Sequence, residues 1–424
     1  MNDRAALSRD WKAALRDGEW LTASRVRAYA IMLLIAYAAM LVPPFLDATS
    51  GPGSDFLAFW GAAKLTVAGT PQLAYDLAAE TATQATTGIA SMVAYVNPPP
   101  FLLAIAPLGL LPYAVAWVVW SLAGWAIWLL VARRILPQAT LAIAAFPGAY
   151  LAASHAQNGF LTGALLIGGV LALKRSQALS GALFGALIVK PHLALLVPLW
   201  LLAGRKWTAL AAGAVSAVAL SLISLAAFGA ETWRAWPDSF AVSAAIMRTG
   251  DALFWQRMGT VYSAVRLFGG ADAALLAQSA VTLACAALVV LAWRRTQDTE
   301  ATGALMLAAT ALGSPYLFAY DLAFLALPVF WLVREGLARG FRPWERMAIV
   351  ALYLSPLATR AAALPLGLNL TPLAAAALVA LVWTRIGGQV TVAGDQVQTA
   401  SGGRLIKIAS MLPPVFRPNN VPRS

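Results

Sequence analysis

Cysteine, histidine and charged side chains are all scarce in this 424-residue sequence. The single cysteine, Cys285, lies in an apolar segment, so an intrachain disulfide is excluded and no thiolate site is indicated. The two histidines, His155 and His192, are too few for a zinc or haem site without help from carboxylates, and we expect neither a metal nor another cofactor. Only 11% of the residues are charged, whereas soluble domains carry about 25%. A soluble fold is therefore not expected.

Apolar residues make up 60% of the chain and recur in runs long enough to cross a bilayer. A membrane-spanning helix needs about 20 consecutive apolar residues. The run at 98–132 is too long for one helix and contains Pro107 and Pro112, which favours a short interfacial or half-inserted helix followed by one crossing. Other clear runs lie at 28–46, 208–228, 273–293 and 366–383. These runs predict an all-α, polytopic membrane protein.

The net charge of +12 would suggest nucleic-acid binding in a soluble protein, but here the basic residues form short clusters between apolar runs. This spacing is typical of cytoplasmic loops, so we expect no nucleic-acid partner. Counting the runs against the bilayer thickness gives about twelve crossings with both termini inside. The expected divisions are a cytoplasmic segment at 1–27, a transmembrane domain at 28–385 with external loops at 47–97 and 229–272, and a weakly ordered cytoplasmic tail at 386–424.

The unusual polar residues fall at the external ends of the predicted spans. Ionisable groups at the mouth of a membrane domain are costly, so they are informative about function. Because these residues converge on one leaflet, they indicate a site there. The set comprises Asp55, Asn97, His155, Gln157, Asn158, Lys190, His192, Tyr316, Tyr320 and Asp321.

Asp55 opens the first external segment and precedes three aromatic residues, Phe56, Phe59 and Trp60, which share one helical face. That face predicts an amphipathic segment lying on the membrane surface. A carboxylate just above the surface is suited to act as a general base on an acceptor hydroxyl. The same residue could instead cap the helix that follows, and the two roles can coexist.

Lys190 and His192 flank Pro191 at the outer tip of an apolar hairpin. An ammonium group in that place is suited to bind the phosphate of a donor. A snorkelling lysine beside a helix-breaking proline explains the pattern equally well.

Asp321 lies one turn inside a predicted span, after Tyr316 and Tyr320, and a carboxylate at that depth needs a partner. Lys190 would serve, as would an arginine of the external loop, and the pair could be purely structural. The other polar residues of the set could bind the hydroxyls of a sugar or acceptor, or merely cap helices. The candidate arginines are Arg248, Arg257 and Arg266.

The chain resembles glycosyltransferase family 87, polyprenyl-phosphate-dependent enzymes of the membrane-embedded GT-C class, over about residues 54–325. The resemblance rests on an ordered set of motifs, each weak alone. In chain order these are Asp55-Phe56 with Phe59-Trp60 and Leu73-Ala74-Tyr75-Asp76, then Tyr95-Val96-Asn97-Pro98-Pro99, Gln157-Asn158, Gly181 and Gly185 before Lys190-Pro191, and Ser314-Pro315.

The resemblance implies a sugar transferred with inversion from a polyprenyl-phosphate donor to a lipid or glycan hydroxyl, with Asp55 as the catalytic aspartate. Beside the resemblance, we expect donor-phosphate binding by Lys190 and His192, sugar or acceptor binding by Asp76 and the remaining polar set, and no metal. The expected location is a bacterial cytoplasmic membrane, with the site facing the periplasm or exterior. Mannosyltransferases of the family tend to carry a tryptophan and paired histidines after Ser-Pro, whereas this chain has Tyr316 and Tyr320 there. The sugar therefore stays open between a hexose such as mannose and a pentose.

A secondary transporter or flippase of a lipid-linked sugar is the alternative, because about twelve spans with both termini inside also suit a carrier. Carriers usually show two related halves and a binding site at the middle of the membrane. Here the halves do not repeat and the polar residues gather at one face. Uptake into vesicles without product formation would favour the transporter.

Overall fold

The computed structural model describes residues 11–51 and 53–399. Within these ranges the chain is mostly helical and forms no strand, and a single isolated bridge joins Met258 to Phe318. The predicted all-α fold is confirmed for the described residues. The predictions for residues 1–10 and 400–424 lie outside the described residues.

The α-helices are numbered here in chain order from residue 23 onward. They are α1 (Ala23–Met40), α2 (Val42–Ser50), α3 (Phe56–Val67), α4 (Leu77–Ala85), α5 (Leu102–Ile105), α6 (Tyr113–Ala132), α7 (Thr140–Ala144), α8 (Pro147–Ser154), α9 (Gly159–Ala172), α10 (Gln177–Gly185), α11 (Val197–Ala203), α12 (Trp207–Ala235), α13 (Asp238–Thr249), α14 (Ala252–Arg257), α15 (Val261–Arg266), α16 (Ala271–Arg295), α17 (Thr299–Gly313), α18 (Ala326–Arg339), α19 (Glu345–Leu366) and α20 (Thr371–Thr399). Short 3-10 helices include Pro99–Phe101, Ala106–Leu110, Ala186–Val189, Pro191–Ala194 and Ala319–Leu325.

Five helices in the described ranges are long and apolar enough to cross a bilayer: α1 with α2, α6, α12, α16 and α19. Several shorter apolar helices lie between them, among them α3, α9 and α11. The predicted count of about twelve crossings is not confirmed by these lengths. The run at 98–132 divides as expected, into the short helices around α5 and then the long helix α6.

The long helices expose large apolar side chains, while the shorter ones are enclosed. On α12 the side chain of Val215 is 68% exposed, and on α16 that of Leu276 is 72% exposed. By contrast, nearly all of α17 is buried. Apolar surfaces of this size are stable when they face lipid chains, and helices too short to span can lie at membrane depth when protein surrounds them. The exposure pattern therefore fits a membrane protein with an enclosed inner layer.

Glycines allow α10 and α12 to pack backbone against backbone. A Cβ atom at Gly181 would overlap the carbonyl oxygen of Ala209, and one at Gly185 would overlap that of Gly213. Small residues four apart permit this approach between membrane helices. The close packing fixes the segment that leads from α10 to Lys190.

The expectation that an amphipathic segment after Asp55 lies on the membrane surface is wrong. Helix α3 is buried on every side, and Phe56, Phe59 and Trp60 are each at most 5% exposed. The aromatic face does not meet lipid, because it packs against Phe101, Tyr113 and Trp120 of the segments that follow. Asp55 thus stands at the end of an enclosed helix, which holds it more firmly than a surface helix would.

The predicted external loop 229–272 contains three short helices, α13, α14 and α15. A break in α12 at Gly229, where φ is +79°, marks its beginning. The segment is tied down at Met258, whose carbonyl accepts a hydrogen bond from the amide of Asn369. The next residue, Gly259, donates its N–H to the carbonyl of Leu317 at 2.7 Å. These contacts hold Arg257 next to the turn that carries Tyr316.

At the C-terminal end, α20 runs from Thr371 to Thr399, so its last turns lie within the segment predicted as a cytoplasmic tail. At the other end, α1 begins at Ala23, inside the segment predicted to precede the first span.

Candidate active site

Asp55 occupies the N-cap position of α3, yet its carboxylate makes no capping hydrogen bond. Instead, Asp55 Oδ2 accepts a hydrogen bond of 3.2 Å from the side-chain amide of Gln157. The neighbouring hydroxyl of Ser54 accepts the N–H of Phe56 at 3.4 Å. Of the two roles that the sequence left open for Asp55, the cap is therefore not the one its side chain adopts.

Gln157 is aimed at Asp55 by the turn that ends α8. The N–H of Ala156 bonds to the carbonyl of Ala153, and the N–H of Gln157 bonds to the carbonyl of Ala152. This is the Schellman arrangement, which needs a left-handed residue after the C-cap, and Ala156 adopts it with φ +44°. The N–H of Asn158 donates to Gln157 Oε1 at 3.3 Å, so the amide nitrogen of Gln157 is left to face Asp55.

Asp55 and Gln157 line a cavity of about 250 Å³. That volume is slightly below the roughly 300–1,000 Å³ typical of small-molecule sites. The cavity also contains Asn97, His155, Tyr316 and Tyr320 from the predicted set, so the structure brings six of those residues together. The other polar residues lining it are Ser243, Arg257 and Arg360.

One wall of the cavity is aromatic. The rings of Phe318 and Tyr320 are stacked with centroids 5.2 Å apart, and Tyr316 meets Phe318 edge-on at 5.3 Å. Phe254 packs against the same ring from α14 at 5.9 Å. The ring of His155 lies 5.5 Å from that of Tyr320. The wall offers ring faces beside hydroxyl and imidazole groups.

A sequence model of glycosyltransferase family 87 matches residues 95–315, which is just over half of the chain. The chain belongs to glycosyltransferase family 87. It is accordingly a membrane glycosyltransferase, as the resemblance indicated. No curated protein and no solved structure matches it. The match includes Asn97, Gln157 and Arg257, whereas Asp55 and Arg360 lie outside it.

Three predicted residues of this glycosyltransferase form a closed cluster behind the cavity. Lys190 Nζ pairs with Asp321 Oδ1 at 2.5 Å and donates a second hydrogen bond to Asn158 Oδ1 at 3.0 Å. The other oxygen of Asp321 accepts the N–H of Phe318 at 3.1 Å. All three side chains are buried, and none lines the cavity. Lys190 is thus the partner of Asp321, and its charge is already neutralised within the protein.

His192 and Asp76 also lie apart from the cavity of the glycosyltransferase. His192 packs edge-on against the outer side of Tyr316, with ring centroids 5.3 Å apart. Asp76 is exposed and caps α4, accepting the N–H of Ala79 at 2.8 Å. Asp76 thus acts as a helix cap outside the cavity, and His192 does not line the cavity either. The sugar or acceptor role of Asp76 and the phosphate contact of His192 stay predictions.

The two arginines of the cavity were missed as site residues. Arg257 was considered only as a partner for Asp321, and Arg360 was not singled out. A signal for Arg360 was present in the sequence, since this arginine stands within an apolar stretch of the segment that forms α19. A charged residue in such a segment indicates a functional site by default.

Proposed function

We propose that the chain transfers a sugar from a polyprenyl-phosphate donor to a hydroxyl of a lipid or glycan acceptor, with inversion at the anomeric carbon and with Asp55 as the general base. The observation that carries the proposal is the carboxylate of Asp55. It lines the cavity, is oriented by one amide donor at 3.2 Å, and has no cation within ion-pair distance in the described part of the chain. A carboxylate held this way can accept a proton from a hydroxyl.

In the proposed step, the acceptor oxygen forms a bond to the anomeric carbon and gives its proton to Asp55. The bond between that carbon and the phosphate oxygen breaks, and its electron pair leaves with the lipid phosphate. Because attack and departure occur on opposite faces of the sugar, one displacement inverts the anomeric centre. The step balances without an oxidant or reductant.

Binding of the sugar and acceptor is assigned to groups that surround Asp55. Asn97, Gln157, Tyr316 and Tyr320 supply amide and hydroxyl groups at the cavity, and the aromatic wall supplies ring faces. Polar groups placed within an otherwise apolar pocket fix the orientation of a ligand. These residue types suit either a hexose or a pentose.

The external side of a bacterial cytoplasmic membrane is the proposed location of the site. Basic clusters such as Arg133-Arg134 and Arg294-Arg295 lie at the C-terminal ends of α6 and α16, and this asymmetry favours a cytoplasmic location for those ends. A lipid-linked donor can reach a cavity among the opposite ends of the spans from within the leaflet. The polyprenyl chain then remains in the membrane while its sugar enters the cavity.

The test is sugar transfer from radiolabelled polyprenyl-phosphate sugars by the purified protein in lipid. Asp55→Asn should lower turnover by about 10²–10⁴, the usual value of general-base help. Asp47→Asn is the matched control, since Asp47 is an exposed carboxylate of the same external segment. Undiminished turnover by Asp55→Asn would reject the base assignment, and no transfer from any such donor by the unmodified protein would reject the donor class.

A further inference from the structure

Two arginines face the cavity, and neither forms an ion pair with another residue in the described part of the chain. Arg257 ends α14 in the external segment, and Arg360 lies within α19, one turn after Pro356. The ion pairs among the described residues join other groups, namely Arg16–Asp17, Lys190–Asp321, Arg334–Glu300, Arg339–Glu335 and Arg385–Glu345. Both guanidinium groups are thus available to a ligand.

The two positive charges also lie close to each other. Arg257 and Arg360 repel each other across the cavity, and both act electrostatically on His155, as does the carboxylate of Asp55. Two like charges converging on one small cavity raise its energy unless an anion binds between them. Arg360 adds to this, because an arginine within an apolar helix is costly and faces a polar partner or cavity.

Other cations near the site are committed elsewhere. Lys190 is neutralised by Asp321 and lies outside the cavity. Lys64 lies toward the other end of α3, where it stacks on Trp60. A ligand anion entering beside Asp55 therefore meets Arg257 and Arg360 first.

We infer that Arg257 and Arg360 together bind the phosphate of the lipid-linked donor, a role that the sequence had suggested for Lys190. This inference rests on the proposed function. A guanidinium group donates two parallel hydrogen bonds to phosphate oxygens, which orients the phosphate as well as attracting it. With the phosphate held by two arginines, the attached sugar extends toward Asp55 and the aromatic wall.

The pair also suits the charge that develops in the reaction. The donor phosphate carries one negative charge while it is esterified to both the sugar and the polyprenol. It gains a second when the bond to the sugar breaks. Fixed cations at the departing oxygen stabilise that charge more in the transition state than in the donor, so they accelerate departure. Arg257 and Arg360 are expected to affect both donor binding and turnover.

The experiment measures binding of a polyprenyl phosphate without sugar to the full-length protein in lipid nanodiscs, by quenching of tryptophan fluorescence. Arg257→Gln and Arg360→Gln should each weaken binding by about 10- to 100-fold, the usual effect of removing a hydrogen bond to a charged group. Arg248→Gln is the matched control, since Arg248 is an exposed arginine of the same external segment and does not line the cavity. It should change binding less than about twofold.

Conservative variants separate binding from folding. Arg257→Lys and Arg360→Lys keep the charge and lose the forked geometry, so they should bind with intermediate affinity and elute as folded protein. Asp55→Asn should bind the polyprenyl phosphate at least as tightly as the unmodified protein, because it removes a negative charge from the cavity and no contact to the phosphate. Wild-type affinity in both glutamine variants would overturn the inference while leaving the proposed function intact.

Competition experiments identify which phosphate-containing molecule the site binds. The corresponding polyprenol, inorganic phosphate and an anionic phospholipid are each added as competitors. Weak competition by all three supports a site for the lipid-linked phosphate. Full competition by the phospholipid would overturn the inference in favour of a headgroup site, and no binding of polyprenyl phosphate by the unmodified protein would reject both the inference and the proposed donor.

Discussion

Two polar clusters of this molecule differ in how their charges are arranged. The closed cluster comprises Lys190, Asp321 and Asn158. The open cluster comprises Asp55, Gln157, Arg257 and Arg360. In the closed cluster the two charges neutralise each other and no polar group faces the cavity. In the open cluster both arginines lack a carboxylate partner among the described residues, and Asp55 meets only an amide. We therefore distinguish charges that stabilise the fold from charges that are available to bind a ligand.

The largest effect is expected from removal of Lys190, which tests whether the closed cluster is structural. Lys190→Met leaves the Asp321 carboxylate fully buried without its cation, which typically costs about 3–5 kcal/mol. Thermal unfolding of the purified protein in detergent should therefore show a large loss of stability. Asp321→Leu in the same chain should restore much of it, because the uncompensated charge is gone.

Arg360→Gln is the contrasting variant, since it removes a charge that has no ion-pair partner among the described residues. Its unfolding temperature should equal or exceed that of the unmodified chain, because the repulsion between Arg257 and Arg360 is also removed. If Lys190→Met unfolded normally but failed to bind polyprenyl phosphate, Lys190 would belong to the open cluster and the comparison would be wrong.

The sequence predicted helices better than it predicted their surroundings. Apolar length identified α1, α12 and α16, because a run of about 20 apolar residues has few alternatives to a spanning helix. It could not show that α3 is enclosed, because an aromatic face packs equally well against lipid or protein. Nor could it fix the number of crossings, since short apolar helices inside a membrane protein look like half-inserted ones.

The candidate site was predicted in part for a similar reason. Asp55, Asn97 and Gln157 stood out as polar residues at the ends of apolar runs, and the cavity brings them together. The sequence could not tell which cation faces the cavity, because that depends on contacts between distant residues. The separation of Lys190 from Asp321 is 131 residues, and no local pattern shows that the pair forms.

A third arrangement differs from both clusters, because Glu80 is buried and forms no ion pair with any described residue. Its partner is the amide of Gln84, and burial raises the pKa of Glu80 from 4.5 to about 8. The folded protein thus favours the protonated acid, so stability should fall as the pH rises from about 5 to about 8. The expected loss is on the order of a few kcal/mol.

Unfolding temperatures of Glu80→Gln across that pH range check the assignment. Glutamine carries no charge, so this variant should lack the part of the fall that is due to Glu80. Glu231→Gln, which alters an exposed glutamate of α12, should behave like the unmodified protein. Parallel falls in Glu80→Gln and the unmodified chain would contradict the predicted protonation.

Gln157 tests whether orientation matters within the open cluster. Gln157→Ala removes the amide that bonds to Asp55 Oδ2, so the base loses its fixed direction. We expect turnover to fall about tenfold, in line with the loss of one hydrogen bond to a charged group. The measurement is the turnover number at saturating donor. A change confined to the Michaelis constant would instead assign Gln157 to substrate binding alone.

Substitution of Asp76, a charged residue outside both clusters, should have the smallest effect on stability and turnover. It is charged and lies in the external segment, but it is exposed and bonds only to the start of α4. Asp76→Ala should therefore cost about 1 kcal/mol of stability, the usual value of an N-cap, and should leave turnover unchanged. Asp76→Ser should retain most of the cap, because serine accepts the same backbone hydrogen bond. A loss of turnover in Asp76→Ala that Asp76→Ser does not rescue would mean that a carboxylate outside the cavity takes part in the reaction. In that case the functional charges of this molecule could no longer be recognised as those that face the cavity without an ion-pair partner among the described residues.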